Sequence, residues 1–149
     1  MNRLMICWIL ATPAGLALAG EADDDWKRFE GTWRFASLEA DGQAAPAGTI
    51  KDWRWMVQGK EIIWIDPIVG ASRTSILLDP AATPRAIDMT ALDGKEKGKR
   101  VKGIYEFQGD RLTICLSGGR RDGTGPPRPD GFGGGKGMSL MVLDRVKAK

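Results

Sequence analysis

The sequence predicts an all-β protein: an eight-stranded antiparallel up-and-down barrel with a short N-terminal helical turn, or a sandwich if the sheet does not close. Three observations predict it. Short apolar runs recur from residue 32 to residue 145, separated by turn pairs such as Asp41-Gly42, Gly59-Lys60, Asp93-Gly94 and Gly109-Asp110. The chain carries 20 Gly and 8 Pro, too many for a helical bundle and suited to many turns. The runs also alternate. Leu112, Ile114 and Leu116 oppose Arg111, Thr113 and Cys115, and Trp53, Trp55 and Val57 oppose Arg54, Met56 and Gln58. A length of 149 residues fits one domain. Eight strands enclose an interior just wide enough for side chains or one small ligand.

In chain order, residues 1–19 read as a signal peptide. Arg3 is the positive n-region, Leu4 to Leu10 the apolar core, and Ala17-Leu18-Ala19 a small-x-small cleavage site. The apolar run is shorter than the ~20 residues of a transmembrane helix. Cleavage there leaves residues 20–149 as a single β-barrel domain, exported to the periplasm or the extracellular space, with no later transmembrane segment. It removes Arg3 and no acid, so the net charge of +3 falls by one, too weakly basic for nucleic acid. Cys115 then stands alone and forms no internal disulfide.

Residues 22–30 suit one or two helical turns, with Asp23, Asp24 and Asp25 as helix-start acids and Trp26 and Phe29 on one face. Strands are expected at 32–40, 53–58, 61–66, 72–78, 86–92, 100–107, 111–117 and 138–145, with a loop of small residues around Pro46.

The chain has no His, which removes Ser-His-Asp and Cys-His catalysis and His-based metal sites together. No cofactor and no metal are expected, and the reading is of a protein that is not an enzyme. Asp79, Asp88 and Glu106 are the carboxylates suited to acid–base work, but no spacing joins any two of them as glycoside hydrolysis requires. Asp79 precedes Pro80 and suits a turn. Asp88 should face away from Ile87 and Met89. Cys115, with no base to activate it, reads as a small buried residue.

Three features could bind something. Trp53, Trp55 and Trp64 either fill the core or line a pocket for an apolar or sugar-like ligand. Residues 117–137 hold nine Gly and three Pro and cannot form regular structure. They are expected either as a mobile solvated loop, whose deletion from 123 to 135 would change the melting temperature little, or as a binding loop at the barrel mouth. In the second case Phe132 is an apolar anchor and the arginines, Arg120, Arg121 and Arg128, meet an anionic or protein partner. Lys95, Lys97, Lys99, Arg100 and Lys102 make either a solvated hairpin tip or a polyanion or membrane-surface patch, although no aromatic residue interleaves them.

The order and spacing of Phe29-Glu30-Gly31-Thr32-Trp33, Ser37 to Gly42, Leu78-Asp79-Pro80, Pro84 to Asp88, Asp93-Gly94, Gly103 to Glu106, Gly109 to Leu112, Cys115-Leu116, Arg128-Pro129, Phe132 and Leu140 to Arg145 resemble a family of small domains common in planctomycete bacteria. Many of these are secreted and of unknown function. The longer glycine-rich loop before the last strand departs from that pattern. The Gly31-x-Trp33 opening also resembles that of lipocalin-type barrels. That resemblance implies a helical turn closing one end and an Arg from the last strand covering the Trp, here Arg145. Gly31, Trp33 and Arg145 are thus the expected structural motif. The functional expectation is a secreted, lipocalin-like domain binding a small apolar or amphiphilic ligand through residues among Trp53, Trp55, Trp64, Tyr105, Arg128 and Phe132. The alternative is an envelope-associated protein-interaction domain with a filled barrel, binding through the 117–137 loop.

Overall fold

The computed structural model describes residues 17–148 apart from 121 and 123. The core of the expected signal peptide, with Cys7, lies outside the described residues. Helix α1 (Ala17–Phe29) leads into β1 (Gly31–Ala40), the short β2 (Gln43–Ala44), helix α2 (Ala47–Ile50) and seven further strands. These are β3 (Arg54–Gln58), β4 (Glu61–Asp66), β5 (Gly70–Asp79), β6 (Ala86–Ala91), β7 (Arg100–Gln108), β8 (Arg111–Ser117) and β9 (Met138–Arg145). Each of β3 to β9 pairs antiparallel with the next, and β1 pairs with β3 on one side and β9 on the other. The sheet therefore closes as an eight-stranded antiparallel barrel, and the sandwich alternative falls. Closure leaves the barrel strands no free edge. β2 adds a two-residue pairing to the far end of β1.

Two elements differ from expectation. Helix α1 covers Ala17–Phe29, reaching back past the expected start at 22, because Ala17-Leu18-Ala19 favours helix as strongly as any residues in the chain. Asp23, Asp24 and Asp25 therefore sit inside the helix rather than at its start, and Asp25 is buried. Phe29 is buried, and Trp26, one turn earlier, packs at the edge of the same cluster. The expected loop around Pro46 contains β2 and α2, and Ile50 of α2 is buried against the core at the end of the barrel away from α1.

The lumen is filled. Trp33, Trp55, Tyr105, Ile62, Ile87 and Leu143 are among the inward side chains less than 2% exposed. Gly31 is required where it stands. Its φ is +119°, and a Cβ there would lie 2.9 Å from Arg145 Nη1.

Residues 118–137 follow a course that neither expectation described. The cross-strand row Ala86, Ile104, Cys115, Leu140 faces outward, because its neighbours Ile87, Tyr105, Ile114 and Met141 face in. Yet Ala86, Ile104 and Cys115 are buried. The glycine-rich segment covers them. It runs down the outer wall, where Arg128 Nη1 donates to the carbonyls of Ile87 (3.0 Å) and Gly103 (2.7 Å) and Arg128 Nη2 donates to Asp88 (2.7 Å). Pro129 is buried beside it. The segment returns past Glu39 and Leu140 at Gly134, and Asp41 accepts the Gly137 N–H at 2.7 Å. It is a strap on the wall. The expectation of a loop at the mouth is corrected, and residues 128–134 pack on the wall where a fully solvated loop is the other expectation. Arg128 is consumed by the barrel's own backbone, because two strand carbonyls and the outward Asp88 offer a ready acceptor set.

Cys115 lies under this strap, fully buried, and burial pushes its thiol pKa up. A thiol reagent such as DTNB is expected to leave Cys115 unmodified in the native protein and to react stoichiometrically in denaturant. Rapid native labelling would mean that the strap opens.

Candidate functional site

The two ends of the barrel are built differently. At the α1 end, Trp33 Nε1 donates to the Phe29 carbonyl at 2.8 Å, and the Arg145 guanidinium lies 4.3 Å from the Trp33 ring centroid. Arg145 also donates to the Glu30 carbonyl at 2.7 Å and to the Arg28 carbonyl. Trp33 and Arg145 are direct cross-strand partners, which is what antiparallel pairing of first and last strands requires. Asp25, 2% exposed, reaches in from α1. It accepts Tyr105 Oη–H at 2.6 Å and Arg85 Nη1 at 2.9 and 3.1 Å. Burial, then the Asp25 carboxylate, pushes the Tyr105 phenol far above its ordinary range, so it stays a neutral donor. This end is sealed.

Beside the seal, a hollow of about 550 Å³ lies between the 80–85 turn and α1, lined by Arg28, Arg85, Tyr105, Glu106, Phe107 and Phe132 among others. The Arg28 guanidinium stacks on Phe107 at 4.3 Å, and Arg85 is committed to Asp25. Two expected ligand residues, Tyr105 and Phe132, line this hollow, but the Tyr105 hydroxyl is already spent on Asp25.

The opposite end holds the second aromatic group. Trp33, Trp55 and Trp64 are successive cross-strand partners on β1, β3 and β4. Barrel strands tilt against the axis, so one such row climbs from the α1 end to the mouth. At the mouth, Phe35 meets Trp53, Trp55 and Trp64 with centroids 5.7, 5.6 and 5.2 Å apart. Trp64 in turn lies 5.6 Å from Trp53 and 5.4 Å from Trp55, both near edge-to-face, the arrangement favoured by ring quadrupoles. Trp55 is fully buried, and Trp53 and Trp64 are half-buried. Trp53 and Trp64 line a pocket of about 200 Å³ with Asp66, Val69, Gly70, Ala71 and Ser72.

One atom in this cluster stands out chemically. Trp33 has the Phe29 carbonyl for its N–H, but Trp55 Nε1, equally buried, has no hydrogen-bond partner among the described residues. An unmet buried donor costs about 1–3 kcal/mol. An acceptor oxygen brought to it would recover that cost.

The chain matches no family model, no curated protein and no solved structure. Among the described residues, no group of three or more His, Cys, Asp or Glu side chains could hold a metal ion.

The six expected ligand residues therefore do not converge. Trp53, Trp55 and Trp64 meet at the mouth. Tyr105 and Phe132 meet at the flank of the sealed end, and Arg128 is a wall tether. Asp25, Arg85 and Val69 escaped the sequence reading. A helix begun five residues earlier removes Asp25 from the helix-start position, but its burial rests on partners distant in the chain. Val69 is half of an apolar pair, Ile68-Val69, placed between Pro67 and Gly70 where a turn should be polar.

Proposed function

We propose that the chain is an exported, non-enzymatic lipocalin-like binding domain, of the secreted planctomycete type its motifs resemble. It takes one small apolar or amphiphilic ligand at the barrel mouth. Trp53 and Trp64 supply the apolar walls, and the Trp55 N–H behind them supplies a polar contact. The observation that carries this reading is the pocket walled by Trp53 and Trp64, behind which the fully buried Trp55, in ring contact with Trp64, holds an unpartnered N–H. A pocket of about 200 Å³ admits a single ring or the end of an alkyl chain rather than a whole lipid. The filled lumen agrees with shallow seating at the mouth.

A pair of probes tests it. Cyclohexanone carries an acceptor oxygen and cyclohexane does not. Tryptophan fluorescence is expected to show both binding, with cyclohexanone tighter. Trp55→Phe should weaken cyclohexanone about tenfold, the worth of one hydrogen bond, and leave cyclohexane nearly unchanged. Equal losses for the two probes would remove Trp55 from the site, and no binding by either would overturn the reading. Native mass spectrometry of protein from its own host would show a retained ligand as added mass.

The alternative, an envelope-associated domain that binds a protein partner through residues 117–137, has less support. Arg128 and Pro129 face the barrel's own wall, and Phe132 lines the hollow beside the sealed end.

A further inference from the structure

No aromatic residue interleaves the basic run at 95–102 in the linear sequence, and folding brings an exposed apolar tip beside it. The β4–β5 turn carries Ile68 and Val69 at its tip, 92% and 85% exposed, the two most exposed large apolar side chains among the described residues. The turn is held firm, because the Asp66 carboxylate accepts the N–H groups of both Ile68 (2.7 Å) and Val69 (3.2 Å). The apolar character continues down the outer wall. Met56, Ile63 and Ile65 face out opposite the inward Val57, Ile62 and Trp64, and all three are only half-buried.

The basic loop lies beside this tip at the same end of the barrel. The Leu92 N–H donates to the Arg73 carbonyl, and the Asp93 carboxylate accepts the Arg73 N–H, three residues along β5 from the turn. Residues 93–102 carry Lys95, Lys97, Lys99, Arg100 and Lys102 against Asp93 and Glu96. Pairs within the loop, such as Lys99–Glu96 at 3.0 Å, redistribute that positive excess without cancelling it. Asp93 is shared with Arg73 (3.5 Å), and Asp66 is occupied by its own turn. Backbone pairing also brings Arg120 beside Arg100, which extends the basic rim.

We propose that this end of the barrel docks on an anionic phospholipid bilayer, with Ile68 and Val69 entering the headgroup layer and the 93–102 loop lying against the lipid phosphates. The surface is convex, a two-residue apolar tip with cations to one side. A rigid protein partner needs a matched flat area of roughly 800 Å² on each side. A soft layer of acyl chains and anionic heads accepts a narrow apolar tip and rewards the adjacent positive charge. The inference stands on the turn and the basic loop; Val69 is shared with the pocket at Trp53 and Trp64, and Ile68 and the lysines are not.

Vesicle co-sedimentation of the full chain tests it, using phosphatidylcholine alone and phosphatidylcholine with about a third phosphatidylglycerol. Binding to the anionic vesicles is expected to exceed binding to the neutral ones by at least about tenfold and to weaken in 0.5 M salt. The double variant Ile68→Asp, Val69→Asp should lose about tenfold or more with an unchanged melting temperature, since both side chains are exposed. Replacing Lys95, Lys97 and Lys99 with Gln should remove the preference for anionic vesicles. Equal binding to both vesicle types, or full binding by the double aspartate variant, overturns the proposal; the second result would assign any vesicle binding to another part of the chain. A dimer in sedimentation velocity that the aspartate variant dissociates, with no vesicle binding, also overturns it and makes the tip a contact between copies.

Discussion

Trp33→Ala is expected to cost about 3–5 kcal/mol, the range for truncating a fully buried large aromatic residue. Three losses coincide at this position. The indole leaves a cavity between Phe107 and the barrel wall, since Trp33 is fully buried with its ring 6.3 Å from that of Phe107. The Phe29 carbonyl loses its donor at the helix terminus, and the Arg145 guanidinium loses the ring face 4.3 Å beneath it. A small domain holds a margin of about 5–15 kcal/mol, so one substitution removes a large part of it. Urea unfolding should show the midpoint falling with little change in slope. Arg145→Lys should cost clearly less, about 1–2 kcal/mol. An ammonium lacks the planar face and the fork that reaches the Glu30 and Arg28 carbonyls together, yet keeps the charge. A Trp33→Ala cost below about 1 kcal/mol would mean that α1 does not seal the barrel.

Removing the strap is the second large effect. Replacing residues 124–135 with a two-residue Gly-Ser link is expected to destabilise the domain by about 3 kcal/mol. Uncovering Ile104 alone forfeits about 1.5–3 kcal/mol of apolar burial. Cys115 and Ala86 add to this, as do the three Arg128 hydrogen bonds to Ile87, Gly103 and Asp88. The shorter loop returns only about 0.6 kcal/mol for each halving of length. Arg128→Ala in the intact chain should recover part of the loss, about 1–2 kcal/mol, by freeing the tether while leaving the cover. Calorimetry of both variants separates cover from tether. An unchanged melting temperature on strap removal would restore the view of a solvated loop.

The strap also shows where local reading stopped. Nine glycines and three prolines in residues 117–137 report correctly that no helix or strand forms there. They are silent on packing, because a glycine-rich backbone is equally able to float or to lie flat on a wall. What distinguishes the two cases is the apolar outer row Ala86, Ile104, Cys115, Leu140, and that row exists only once four strands are in register. Asp25 teaches the same lesson. Its partners Arg85 and Tyr105 lie 60 and 80 residues away, so nothing near it in sequence marks it as a buried carboxylate.

By itself, the sequence determined what depends on local periodicity and turn chemistry: eight alternating antiparallel strands and their turns, in a barrel or a sandwich. It also determined, through the absence of His, which catalytic chemistries this chain cannot perform. Only the tertiary structure decided that the sheet closes and so brings Trp33 to Arg145, which tryptophans meet, that Trp55 is left with an unmet N–H, that Arg128 is tied to the barrel's outer wall, and that the Ile68–Val69 tip lies at the same end as the basic loop. Those are contacts between residues far apart in the chain. Their geometry follows from register and barrel tilt, which no short window of sequence contains.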